Sequence, residues 1–165
     1  MSIGGDSGGG MPGDALWRFS LGFYARRGVA EACLDLQDRH GKDVNLLLYA
    51  VWHGLSGRGR LTEAGLETAD AAIAAPRRDL IQPLRALRRA TKGEDGAGAV
   101  HAALKTAELE AERLAQVRLA ALAPPVTVAN PAARIADAEA NLGLYLGNLP
   151  ADAVRAALRE QAEGS

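Results

Sequence analysis

Between Gln37 and Asn45 the chain sets two carboxylates (Asp38, Asp43), an imidazole (His40) and two side-chain amides (Gln37, Asn45) within nine residues. A carboxylate beside an imidazole is the inventory of general acid–base catalysis, and the same groups can form one side of a metal site. His53 stands thirteen residues beyond His40. Asp38, His40, Asn45 and His53 therefore define one candidate: a polar pocket for a small molecule or a reaction, with an apolar wall from Trp17 or Trp52. The spacing favours a structural reading. No second histidine or cysteine lies three or four residues from His40, as a helical metal site needs, so neither a metal nor another cofactor is expected. Gly41 suits the left-handed position that ends a helix, and Asp43 suits the cap of the next, which turns the run into a corner. His40, four and seven residues from Leu36 and Cys33, is expected to lie over the core. His53, on a helix apolar almost all round, is expected to be a satisfied core histidine, and His101 an exposed one.

The second candidate is electrostatic. Arg77 to Lys92, RRDLIQPLRALRRATK, carries six cations and one anion, a local charge of +5, while the rest of the chain sums to −6. On a helical projection Leu80, Leu84 and Leu87 share one side, and Arg78, Arg85, Arg89 and Lys92 share another. Four cations on one strip repel unless they meet a partner. Two remain open. One is external, an anionic ligand or an acidic protein surface. The other is internal, Glu108 and Glu112 on the long helix that follows, folded back by a short loop. Nucleic acid is disfavoured, because no aromatics interleave with the arginines, no docking module is visible and the net charge is −1.

The remaining reactive residues have plain readings. Cys33, the only cysteine, lies among alanines and leucines with no basic neighbour at helical spacing, so it is expected to be a buried thiol. Glu63, Glu67 and Asp70 align along one helix face and resemble a cation-binding ladder, yet a row of charge on an amphipathic helix is ordinarily a solvated face. Phosphate-binding, dinucleotide-binding and nucleophile-elbow motifs are absent.

The elements that must hold these residues are helices. Alanine, leucine and arginine dominate, aromatics make up 4% of 165 residues, and no strand-like alternation of useful length appears. The apolar periodicity predicts an all-α, single-domain bundle of about seven helices over residues 14–163, behind a glycine-rich disordered tail over 1–13. The helices are predicted from Asp14, as N-cap, to Arg26; Val29 to His40; Asp43 to Leu55; and Thr62 to Ala75. Further helices cover Arg77 to Lys92, broken or kinked by Pro76 and Pro83; Val100 to Leu122; Asn130 to Leu146; and Ala151 to Ala162. The buried stripe of the longest is expected at Val100, Leu104, Ala107, Ala111 and Leu114. Helix 43–55 is expected at the centre. The longest apolar run, Leu46 to Trp52, is far short of a bilayer span, and the N-terminal residues carry no signal-peptide pattern. With one unpaired cysteine, a cytoplasmic protein is expected.

LWRFSLGFYARRGVAEACLDLQDRHGKDVNLLLYAVW (Leu16 to Trp52), PLRALRR (Pro83 to Arg89) and KTAELEAER (Lys105 to Arg113) together resemble a proteobacterial family of small helical proteins known as a domain of unknown function. The resemblance covers roughly Asp14 to Leu122 and departs at Ala75–Pro76, where the family pattern has a tryptophan. It implies an all-helical bacterial protein and supplies no activity or site residue. The sequence reading is therefore a non-enzymatic interaction or regulatory protein, with a protein partner or a second copy of itself. Arg78, Arg85, Arg89 and Lys92 would meet an anionic surface. The alternative is a small-molecule-binding protein or enzyme using the pocket near His40, Asn45 and His53.

Overall fold

A helix that is apolar on every side must lie inside the molecule, and α3 (Val44–Leu55) does: every residue from Asn45 to Gly54 is buried. The computed structural model describes residues 12–163. The expected tail lies outside them except for Pro12 and Gly13, which open α1 (Pro12–Tyr24) two residues before the expected cap. Asp14 sits in the first turn of α1 and accepts a bond from Arg113 Nη2 at 3.0 Å. The remaining elements are α2 (Val29–His40), α4 (Glu63–Pro76), a π-helical turn (Arg77–Ile81), α5 (Gln82–Ala90), α6 (Gly98–Leu122), α7 (Pro131–Leu146) and α8 (Asp152–Glu163). The class is all-α, with no strand among the described residues. Because α4, the π turn and α5 run on without interruption, the helices among the described residues form seven rods.

The two prolines neither break nor end that long rod. Pro76 is its last α-helical residue before the π turn, and Pro83 is the second residue of α5, directly after that turn. Between them the ladder widens: Gln82 N–H donates to the carbonyl of Arg77, five residues back.

α3 divides the core. On one side Leu47, Leu48 and Val51 pack against Cys33 and Leu36 of α2, Leu142 of α7 and Leu158 of α8. On the other, Leu46, Tyr49 and Trp52 meet Leu16 of α1, Ile73 of α4, Ile81 of the π turn and Leu119 of α6. Each such side chain contributes about 1.5–3 kcal/mol by leaving water. α3 and α7 cross in close contact at Gly54, where an added Cβ would lie 2.2 Å from the Ala138 nitrogen.

Capping follows the sequence. Asp43 Oδ1 accepts from Asn45 N–H at 2.7 Å, Thr62 Oγ1 accepts from Gly65 N–H at 3.0 Å, and Asn130 Oδ1 accepts from Ala132 N–H at 2.9 Å. Gly41 takes the left-handed conformation at φ 61°. The Asp43 corner is tied further. Its second oxygen holds Arg77 Nε at 2.5 Å, and the Tyr145 hydroxyl accepts from its N–H at 2.7 Å and donates to its carbonyl at 3.1 Å.

The stripe expected on α6 is corrected. Val100 and Leu114 are exposed, and the buried face is Glu108, Ala111, Ala115, Gln116, Leu119 and Ala120. Apolar periodicity misassigned this helix because two of its inward positions are polar.

Candidate functional site

The structure sets Asp38 and Asn45 on one cavity and leaves His40 and His53 off its lining. His40 is exposed rather than laid over the core, since the last turn of α2 projects past the packing of Val29, Cys33 and Leu36 before Gly41 reverses the chain. His53 is buried on α3, and its Nδ1 meets the carbonyl of Gly59 at 3.0 Å, so that nitrogen carries the proton and donates. Burial pushes the His53 pKa down, the Gly59 bond opposes this, and the nearby Arg58 adds to it. Arg58 stacks on Trp52, 4.2 Å from the ring centroid. His53 thus belongs to the corner formed by residues 56–62, where Asn141 is the second tie. Asn141 Nδ2 donates to the carbonyls of Ala50 and Gly59 at 3.2 and 3.1 Å, and its Oδ1 accepts from Leu61 N–H at 2.7 Å. His101 is half-buried rather than exposed, with Nδ1 3.2 Å from Thr91 Oγ1.

The cations of the basic helix find internal partners. Arg85 Nε donates to Glu108 Oε1 at 2.9 Å and its Nη2 to Glu112 Oε1 at 3.1 Å, while Arg88 Nε holds the other oxygen of Glu108. Arg89 reaches Asp38 at 2.9 Å, and Arg78 makes a two-pronged bond with Asp79 at 2.7 and 2.8 Å. Lys92 is exposed. Burial raises the Glu108 pKa, but the bonds from Arg88 and Arg85 outweigh it and hold the carboxyl below its usual value. Glu112 goes the other way: burial dominates, Arg85 only partly offsets it, and Glu108 beside it adds repulsion, so its pKa is raised.

Two cavities flank this network, and both include Asn45 and Arg85 in their walls. The first, about 700 Å³, is rich in charge; Lys42, Arg77 and Arg89 line it with Asp38, Glu67 and Asp70. Arg77 binds Asp70 at 2.7 Å as well as Asp43, and Lys42 donates to the Tyr145 carbonyl at 3.0 Å. Its charges are therefore largely matched within the chain.

The second cavity, about 440 Å³, is a cleft between α1, α2, α3, α5 and α6 of a different character. Trp17, Leu21, Leu34 and Leu109 give it apolar walls. Ser20, Gln116 and Asn45, all buried, line it too. Gln116 Nε2 donates to Asn45 Oδ1 at 3.0 Å. Gln116 Oε1 and Ser20 Oγ are buried and have no hydrogen-bond partner among the described residues. Such atoms are rare in a settled core, because an unmade bond there costs about 1–3 kcal/mol. Glu112, on the same lining, can exchange a proton.

Of the four pocket residues and four basic-strip residues expected from sequence, Asp38 lines only the charged cavity, and Asn45, Arg85 and Arg89 line both; Arg78, Lys92, His40 and His53 line neither. Ser20, Glu108, Glu112 and Gln116 complete the cleft. Glu108 and Glu112 are expected from sequence as internal partners of the basic strip; the signal that could have found Gln116 is a polar residue beside Ala115 on the strip that also carries Ala111 and Leu119. Cys33 is buried, and desolvation pushes its thiol up to about 12. Among the described residues no group of three or more histidine, cysteine, aspartate or glutamate residues is placed to hold a metal ion, and no helix is long and apolar enough to cross a membrane.

Fold and site together define an all-helical protein with an apolar-walled, polar-floored cleft beside an arginine–glutamate network. The chain belongs to the family described as Protein of unknown function (DUF2390), whose model matches residues 15–119. No curated protein and no solved structure matches it.

Proposed function

We propose that this is a small-molecule-binding protein whose site is the 440 Å³ cleft. One observation carries the reading: two buried oxygens without partners, Ser20 Oγ and Gln116 Oε1, belong to residues of a single apolar-walled cleft. The volume lies within the range of small-molecule sites. The unpaired cysteine and the resemblance of residues 14–122 support a bacterial, cytoplasmic setting. The site keeps Asn45 from the sequence-derived pocket and replaces its histidines with residues of α1 and α6. The test is titration with N-phenylnaphthylamine, a neutral dye that brightens in apolar sites. The expected result is saturable binding of one dye per chain, abolished by Ala25→Trp, which fills the cleft from its lining, with the melting temperature kept. Absence of saturable binding, or binding indifferent to Ala25→Trp, overturns the reading.

A second reading is an interaction or regulatory protein, with an acidic protein partner or a second copy of this chain. It is favoured by Leu80 and Leu87, which are 41% and 54% exposed on the same basic segment as Arg78 and Lys92. On that reading Leu87→Glu with Lys92→Glu abolishes partner recovery and leaves the dye titration unchanged.

A further inference from the structure

α6 has an outward strip with a pattern of its own. Glu110, Leu114 and Arg118 follow one another at four-residue intervals, so they stand in a row on one side of the helix. Ala107 and Ala121, seven residues to either side of Leu114, continue the row. Glu110, Arg118 and Ala121 are exposed, Leu114 is 39% exposed, and Ala107 is half-buried. Glu108, Glu112 and Arg113 of the same helix are paired within the chain. Glu110 and Arg118 make no ion pair among the described residues. None of the five residues of the row lines either cavity.

The order acid, leucine, base is its own complement. A two-fold axis through Leu114 lays α6 antiparallel on α6 of a second copy, and positions equally far on either side of Leu114 then face each other. Leu114 meets Leu114. Ala107 meets Ala121, and these small residues let the helices approach closely. Glu110 of each copy meets Arg118 of the other, so one contact supplies a partner to all four charges. The row carries one anion and one cation, so a strongly acidic or a strongly basic partner would leave one of them facing its own sign.

We infer that the chain forms an isologous dimer through the Glu110–Leu114–Arg118 strip of α6. The surface lies apart from the cleft, so the inference goes beyond the cleft reading and does not depend on it.

The experiment is sedimentation velocity of the full chain over a concentration series. The native protein should pass from monomer to dimer and no further, because an isologous contact closes on itself. Leu114→Asp should stay monomeric. Glu110→Arg alone, or Arg118→Glu alone, sets like charges at both ends of the contact and should weaken the dimer about tenfold. The double swap should recover the native affinity. So should an equal mixture of the two single variants, in which each contact again joins opposite charges. Ala25→Trp, which fills the cleft, should leave the dimer unchanged. Thermal melts of the variants, substituted only at exposed positions, show that the fold persists. A native chain that is monomeric at every concentration, a dimer that survives Leu114→Asp, or single swaps that the double swap does not rescue would overturn the inference, whatever the dye titration shows.

Discussion

At the scale of single residues, the polar groups on inward faces set the chemistry, and they divide by whether the fold satisfies them. Asn141, His53 and Glu108 are satisfied, while Ser20 and Gln116 each keep one buried oxygen without a partner. His53 gives a pH signature. The folded protein holds it neutral with a depressed pKa, so as pH falls below about 6.5 the unfolded chain takes up a proton first. Stability is complete above that value and declines as pH falls toward the depressed one. Glu112 acts oppositely: its raised pKa means that stability is lost as pH rises from about 4.5 through the folded value. Urea midpoints measured from about pH 5 to 8 should therefore rise with pH more steeply in Glu112→Gln than in the native protein. They should flatten in His53→Asn, whose amide can still donate to Gly59. A His53→Asn profile that keeps the native slope would remove the assignment to His53.

At the scale of elements, α3 is specified twice, by composition and by contact. Its run of buried residues places it centrally, and its crossing with α7 depends on one missing side chain. Gly54→Ala would drive a methyl group into the backbone of Ala138, 2.2 Å from nitrogen and 2.4 Å from Cα. Neither backbone can yield without parting the helices, so a loss of about 2–3 kcal/mol or more is expected. Gly143→Ala on α7 is the control, since its Cβ would meet nothing within 4 Å. It should gain up to about 1 kcal/mol from the stiffer unfolded chain. Urea denaturation of the two variants checks both signs. The cap at Asp43 and the helix starts at Thr62 and Asn130 were legible because a cap is a local rule about neighbouring residues. The π turn was not, because two prolines seven residues apart are compatible with a kink, a new helix or a widened ladder.

At the scale of the molecule, the family match ends at residue 119, before α7 begins. Yet α7 and α8 supply Ala138, Leu142, Leu146, Val154 and Leu158 to the core around α3, together with the Asn141 and Tyr145 ties. A chain ended after Leu122 would open the Leu47–Val51–Gly54 face of α3 to water. We expect it to lose cooperative thermal unfolding and bind hydrophobic dye non-saturably, measured by circular dichroism and fluorescence. A sharp melt from that truncated chain would show that the matched segment folds alone.

The sequence by itself determined the helical class, the order of the rods, one cap and two helix starts, the corner at Gly41–Asp43 and the central place of α3. Periodicity and end signals act within a few residues and need no neighbour. Periodicity says which side of a helix turns inward, but not which residue of another helix it meets there. Only the tertiary structure decided that Arg85 and Arg88 close on Glu108, that His40 is exposed while His53 is buried, and that Ser20, Asn45 and Gln116 line one cleft. Those three residues come from three helices and lie up to 96 positions apart in the chain. Only packing brings them together.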